Sequence, residues 1–188
     1  MERYITIFIM AVFYSAYATK KMHQRKQGIT TMLLGKGDKP AKQRRIETWL
    51  KISTFIIPFV ELASIYWDLM NVPAYVKWIG IAVAALGVTI FIIGMLTMRD
   101  SWRAGIPDKK ETKLVTTGIF RISRNPAFVG FDLMYLGILI AYPNAWHAVV
   151  VALVIFLFDK QIRNEEAFME DAFGEEYLDY KKKVRRYL

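Results

Sequence analysis

The sequence predicts an all-α, multi-pass transmembrane helical bundle of about five spans, with a cytoplasmic C-terminal helical region. Three observations predict it. Hydrophobic residues make up 54% of the chain, above the roughly 45–50% of soluble domains. They fall in separate blocks. The basic loops between the blocks all reach one side when the blocks are threaded as spans. At 188 residues the chain is one domain or one compact bundle.

Taken in order, residues 4–19 carry no charge. Ala16-Tyr17-Ala18 has the look of a leader cleavage site. Against cleavage, Met1-Glu2-Arg3 has no net positive side-chain charge, and the segment that would be exported is strongly basic. The block therefore reads as a retained first helix. Residues 52–67 carry one charge, Glu61, and residues 78–98 carry none. An apolar helix needs about 20 residues to cross a roughly 30 Å hydrocarbon core. Residues 78–98 meet that alone, and 52–67 meet it with their flanks. Residues 127–142 carry only Asp132, and 145–158 carry no charge. Pro143 and Asn144 alone separate these two blocks, so they read as a tight helical hairpin. A pair of buried soluble helices is the alternative. Three other apolar blocks in so short a chain argue against it.

The loops give the orientation. Residues 20–51 hold ten Lys or Arg against two acids, and residues 99–126 hold seven against three. Residues 68–77 hold one of each. Positive loops stay in the cytoplasm. Five spans with the N-terminus outside then place both basic loops and the tail 159–188 in the cytoplasm. Two parts follow: residues 1–98, three spans with the basic loop 20–51, and residues 99–188, a cytoplasmic loop, the hairpin 127–158 and the tail.

Several classes of function are excluded. The net charge of +9 does not require nucleic acid, because Lys20, Lys21, Arg25 and Lys26 sit where anionic lipid heads would meet them. With no cysteine there is no disulfide or thiolate site. His23 and His147 are too few and too far apart for a histidine-based metal site, so no metal is expected. No strand, Gly-rich turn and helix occur together, which speaks against a soluble Rossmann enzyme.

Polar machinery concentrates in residues 102–128 and 165–180. Around the first segment the stretch is read through 101–107 and 112–130. Leu114-Val115 before Gly118 reads as a short extended piece and a turn. Arg121 and Arg124, three apart, share a face if that stretch is helical. Asn125-Pro126 is a helix-start signal, so Asn125 is either a cap or a site residue. The new helix start, with Arg121 and Arg124, could hold a carboxylate or phosphate. In the second segment nothing interrupts a helix from Ala145 to Phe173, and Gly174 ends it. Ile162, Glu166, Met169 and Phe173 form one stripe. Glu166 thus lies in an apolar line, and an acid there needs a cationic partner. It is either a functional group or half of an ion pair with Arg124 or Arg185.

Two acids lie within spans. Asp132 shares a face with Phe128 and Tyr135. Glu61 lies ten residues past Lys51, hence ~15 Å deep. Intramembrane carboxylates are functional candidates by default. Asp132 is favoured as functional and Glu61 as a packing acid. Gly80, Gly87 and Gly94 recur every seven residues, a spacing suited to close helix packing.

The ordered residues Leu114-Val115, Gly118-Ile119-Phe120 and Arg124-Asn125-Pro126-Ala127-Phe128 come first. Glu165-Glu166, Phe173-Gly174, Tyr177, Tyr180, Val184 and Arg186 follow. Together they make the chain resemble the isoprenylcysteine carboxyl methyltransferase family. That family and its relatives, the phospholipid amine methyltransferases, are small integral membrane enzymes that use S-adenosylmethionine. The resemblance covers roughly residues 95–188. It implies a cofactor pocket lined by Leu114, Val115, Gly118, Phe120, Asn125 and Phe128. It implies that Arg124 anchors a carboxylate or orients the reactants. Glu165 and Glu166 would meet the cofactor's ammonium or the polar end of the substrate. The family pattern usually reads Leu-Val-x-x-Gly-x-Tyr, then Arg-His-Pro-x-Tyr. Here Phe120 and Phe128 replace the tyrosines, and Asn125 replaces the histidine and cannot act as a base. A carboxylate acceptor needs none. For an amine or thiol acceptor, Asp132 or Glu166 would serve as the acid–base group. The implied partners are membrane lipids and a lipophilic or lipidated substrate.

Two other classes remain open from sequence. One is a nicotinamide-dependent reductase of sterol or other lipid double bonds. The lack of Cys, and of Trp after Trp146, speaks against it. The other is a small non-catalytic membrane protein.

Overall fold

The computed structural model describes residues 1–36, 39–106 and 113–188. Pro107 and Thr112 of the polar segment, with the residues between them, lie outside the described residues. Among the described residues the chain is all-α. Its helices are α1 (Glu2–Lys26), α2 (Ala41–Trp67), α3 (Ala74–Met98), α4 (Pro126–Ala141), α5 (Ala145–Phe173) and α6 (Glu175–Lys183). Two isolated parallel bridges, Met32 with Ala104 and Ser123 with Arg185, are the extended pairings among those residues.

The tightest packing joins α3 to α4, and glycine is the reason. A Cβ at Gly80 would strike the Gly137 carbonyl oxygen, and one at Gly137 would strike the Gly80 carbonyl. Gly87 and Gly130 oppose each other in the same reciprocal way. Backbones this close gain dispersion contacts that larger side chains would prevent. The seven-residue glycine spacing in α3 therefore serves packing, as the sequence suggests. Gly94 lies opposite Pro126 and so brings α3 to the start of α4.

Helix α1 packs on α3 with Met10 and Phe13 buried. The rings of Phe13, Phe91 and Phe131 meet with centroids 4.6 to 5.0 Å apart. This aromatic knot joins α1, α3 and α4.

The turn between α4 and α5 is as short as expected. Asn144 caps α5 by accepting from the His147 N–H at 2.9 Å. Its amide also donates to Ser64 Oγ at 2.8 Å, which ties the turn to the end of α2. The two helices do not pair chiefly with each other. α4 takes its glycine face to α3, and α5 packs on α2. The hairpin therefore opens, with α4 held mainly by α3 and α5 by α2.

Among the described residues, three helices are long and apolar enough to cross a membrane: Ala41–Trp67, Ala74–Ser101 and Ala145–Phe173. The apolar α4 is shorter, at 16 residues, or ~24 Å by helical rise. Helix α1 spans 25 residues. The loop with one acid and one base closes on itself, because Lys77 pairs with Asp68.

Candidate functional site

The site forms where α5 leaves its apolar stretch. Phe158 ends that stretch, and the helix continues through Glu165, Glu166, Phe168 and Met169 to Phe173. Gly174, at φ +52°, turns the chain into α6. α6 then brings Tyr177 and Tyr180 back toward the site.

From the other side come residues 113–116, which form neither helix nor strand, and Thr117, which is extended. Gly118, at φ +59° against Thr97, starts a 3₁₀ turn over Gly118–Arg121. The Tyr180 hydroxyl donates to the Phe120 carbonyl at 2.6 Å. The tail closes the arrangement: the Arg124 N–H donates to the Arg185 carbonyl at 2.9 Å.

Glu166 is the hub. It is 4% exposed, and both its oxygens are occupied. Oε1 accepts from Arg124 Nη2 at 2.8 Å and Nε at 3.0 Å. The Asn125 amide reaches the same oxygen at 3.3 Å. Oε2 accepts from Arg186 Nη2 at 2.7 Å and Nε at 2.9 Å. The ion-pair reading of Glu166 thus holds for Arg124, with Arg186 in the place considered for Arg185. Arg185 is exposed and contributes its carbonyl. Arg121, the last residue of the 3₁₀ turn, is also exposed, so the two arginines are not brought together at the hub. Arg124 has further partners in the carbonyls of Lys181 and Val184. Asn125 stands at the N-cap of α4 without capping it by its side chain. It donates to Glu166 and to the Arg186 carbonyl instead.

The charges and burial have consistent effects. The hydrogen bond to Glu166 raises the Arg186 guanidinium above its ordinary pKa. Burial pushes the Tyr180 phenol up to about 12 and raises Tyr177 as well. Both phenols therefore remain protonated donors at neutral pH.

One pocket opens beside this hub. Of the residues singled out from sequence, Leu114, Val115, Phe120, Arg124, Asn125, Phe128, Glu165 and Glu166 line it. Gly118 and Asp132 are not on its wall. Gly118 shapes the turn behind it. Asp132 lies farther along α4, and its Oδ1 is buried with no hydrogen-bond partner among the described residues. Glu61 is also outside the pocket. It is fully buried and, among the described residues, accepts a hydrogen bond from the Tyr14 hydroxyl at 3.3 Å.

Five further wall residues were not named as site residues from sequence: Trp102, Arg103 and Lys113, within the polar segment 102–128, and Phe168 and Met169, the latter on the stripe of Glu166. Phe168 follows Glu165 by three positions, so the helical spacing that put Met169 with Glu166 could also have found it. The polar segment contains Trp102 and Arg103, but no motif within it assigns them a role. Tyr177 and Tyr180 belong to the quoted motif, and both line the pocket.

The wall has three chemistries. Leu114, Val115 and Phe128 supply apolar surface. Arg103 and Lys113 supply cations. Glu165 supplies an acid whose Oε1 accepts from Gln161 at 2.9 Å. Among the described residues no second hydrogen bond engages that carboxylate, in contrast to Glu166. No cluster of His, Cys, Asp or Glu among the described residues is arranged to hold a metal ion.

Comparison with known proteins places this geometry in context. Residues 75–176 match the family model described as phospholipid methyltransferase. A probable protein-S-isoprenylcysteine O-methyltransferase of Oryza sativa subsp. indica is 30% identical over 129 residues. That match covers 67% of this chain and 63% of the relative. The protein-S-isoprenylcysteine O-methyltransferase of Rattus norvegicus is 29% identical over 126 residues, covering 65% of this chain and 44% of the relative. The Saccharomyces cerevisiae enzyme of the same name is 29% identical over 187 residues, covering 95% and 76%. The chain thus spans less than two thirds of the rice and rat relatives' length.

Proposed function

From the premise that the chain belongs to the phospholipid methyltransferase family, we propose that it is an integral membrane methyltransferase using S-adenosylmethionine. Its acceptor is a lipophile, either the carboxylate of an isoprenylated cysteine or a similar lipid or small lipophile. The reaction takes place at the cytoplasmic membrane face. In this reading α1 and α4 complete five spans, with the N-terminus outside and the C-terminus in the cytoplasm.

The observation that carries the proposal is convergence. Leu114, Val115, Phe120 and residues 124–128, the Glu165–Glu166 pair, and Tyr177 and Tyr180 of α6 are far apart in sequence, yet they line one pocket. The wall also suits the donor chemically. An amino-acid end needs an acid for its ammonium and a cation for its carboxylate. Glu165 answers the first need, and Arg103 and Lys113 the second. A flat ring system needs apolar walls, which Leu114, Val115 and Phe128 provide.

The donor supplies an electrophilic methyl on a positively charged sulfur. The acceptor carboxylate forms the new O–CH₃ bond as the C–S bond breaks, and the electron pair of that bond stays on sulfur. The products are a methyl ester and S-adenosylhomocysteine, and no proton has to move. A carboxylate is already ionised at neutral pH, so the histidine that Asn125 replaces is dispensable. The protein's part is positioning and exclusion of water. Arg124 and Glu166, saturated by each other and by Arg186, hold the wall in place. The apolar side of the pocket, around Ala127 and Phe128, receives the lipophile.

The test is transfer of labelled methyl from S-adenosylmethionine to a farnesylated cysteine analogue and to extracted lipids, in detergent. The expected result is base-labile label in an ester. Label in no acceptor, or saturation of a lipid double bond with a nicotinamide donor, overturns the reading.

A further inference from the structure

We propose that Gln24 is a positioning residue for the methyl-donor pocket, and that the strap after α1 sets one wall of it. The inference rests on the donor reading above and adds a role for residues far from the motif set. Trp102, Arg103, Gly105 and Ile106 line the pocket, yet residues 102–106 belong to no helix. Their backbone is held from the N-terminal segment. Gln24 is fully buried at the end of α1. Its Nε2 donates to the Trp102 carbonyl at 2.9 Å. Its Oε1 accepts from the Thr31 hydroxyl at 2.7 Å, so the amide cannot rotate without losing a bond at each end. Beyond it, the Ala104 N–H donates to the Thr31 carbonyl, and the Leu33 N–H donates to the Ala104 carbonyl, both at 2.8 Å. Gly105, at φ +102°, lies so close to the Leu33–Leu34 backbone that a Cβ would overlap it.

The strap is itself fixed at its far end. Glu47 of α2 is fully buried and accepts from the Gly35 N–H at 2.6 Å and from Lys39 Nζ at 2.8 Å. Lys39 also donates to the Leu33 carbonyl at 3.1 Å. The basic loop between α1 and α2 therefore does more than offer charge to lipid heads. Part of it is folded against the pocket wall. A buried amide that binds two partners is costly to mismatch, and its loss lets the wall segment move.

The experiment uses two variants of the full chain in detergent, Gln24→Met and the milder Thr31→Val. Three quantities are measured: the affinity for S-adenosylhomocysteine by calorimetry, the split of donor KM against kcat, and hydrogen exchange at the Ala104 amide. Gln24→Met is expected to weaken donor and product binding about tenfold, and Thr31→Val about threefold. kcat at saturating donor, and KM for the lipophile, stay within about twofold. Exchange at Ala104 accelerates in both. Should Gln24→Met fail to fold, Thr31→Val decides alone. Wild-type affinity in a folded variant whose Ala104 exchanges faster overturns the proposal, as does equal weakening for both substrates. A wild-type protein that binds no donor removes the underlying reading too, an outcome distinct from variants that match a binding-competent wild type.

Discussion

Glu165 and Glu166 are adjacent in sequence and have opposite surroundings. Glu166 is enclosed by Arg124, Asn125 and Arg186, whereas Glu165 borders the pocket beside Gln161. The two should therefore fail differently. Glu166→Gln leaves two guanidiniums without their charge partner and is expected to destabilise the fold by about 3 kcal/mol, read as a lower unfolding midpoint in detergent. Glu165→Gln is expected to leave the midpoint nearly unchanged and to weaken S-adenosylmethionine binding about tenfold, the loss of one charge-assisted contact. Reversed behaviour would assign the structural and binding roles the other way round. The pair was legible in the sequence, and so was Glu166's need for a cation. Both glutamates line the pocket; that Glu166 would be saturated by two guanidiniums and Glu165 would not was not legible, because the second guanidinium, Arg186, arrives with the tail after Gly174. Arg186 rather than Arg185 reaches Glu166 for the same reason: the Ser123–Arg185 bridge fixes the register of the last residues.

At the scale of elements, the α3–α4 contact carries the clearest sequence signal and the clearest prediction. Gly87 meets Gly130 backbone to backbone. Gly87→Leu must push the helices apart, and overpacking of this kind costs roughly 1–3 kcal/mol. Because α4 starts at the pocket, the shift should also reduce donor binding, which thermal unfolding with and without donor would reveal. Gly174→Ala tests a different constraint. Its φ of +52° suits glycine, while a Cβ there would meet nothing within 4 Å. With ψ at −128° the conformation lies outside the left-handed helical region, so the cost is conformational, about 1–3 kcal/mol. The glycine repeat, the uninterrupted run of α5 and the stop at Gly174 could all be read from residue types. The partner exchange of α4 and α5 could not. A two-residue turn suggests a paired hairpin, and only the glycine face of α4 meeting that of α3 diverts it.

For the whole molecule, the charge pattern makes the strongest claim. Three helices are long and apolar enough to cross a membrane, and the five-span reading adds α1 and the shorter α4. That reading predicts opposite sides for the two ends. Reporter fusions at residues 1 and 188 should report outside and cytoplasm, respectively. The same side for both would remove one span and reverse either the basic loops or the tail. Block lengths and charges made the helical class legible. They could not show that the strap after α1 folds onto residues 102–106, since that contact joins segments about seventy residues apart through a few hydrogen bonds.

The central claim is that the pocket beside Glu165 and Glu166 holds the methyl donor. Crosslinking with a photoactivatable S-adenosylmethionine analogue, mapped by mass spectrometry, tests it most directly. Adducts are predicted on peptides covering 98–106, 113–128 and 165–180, and excess S-adenosylhomocysteine should suppress them. Adducts confined to other parts of the chain, or undiminished by that competitor, would contradict the account.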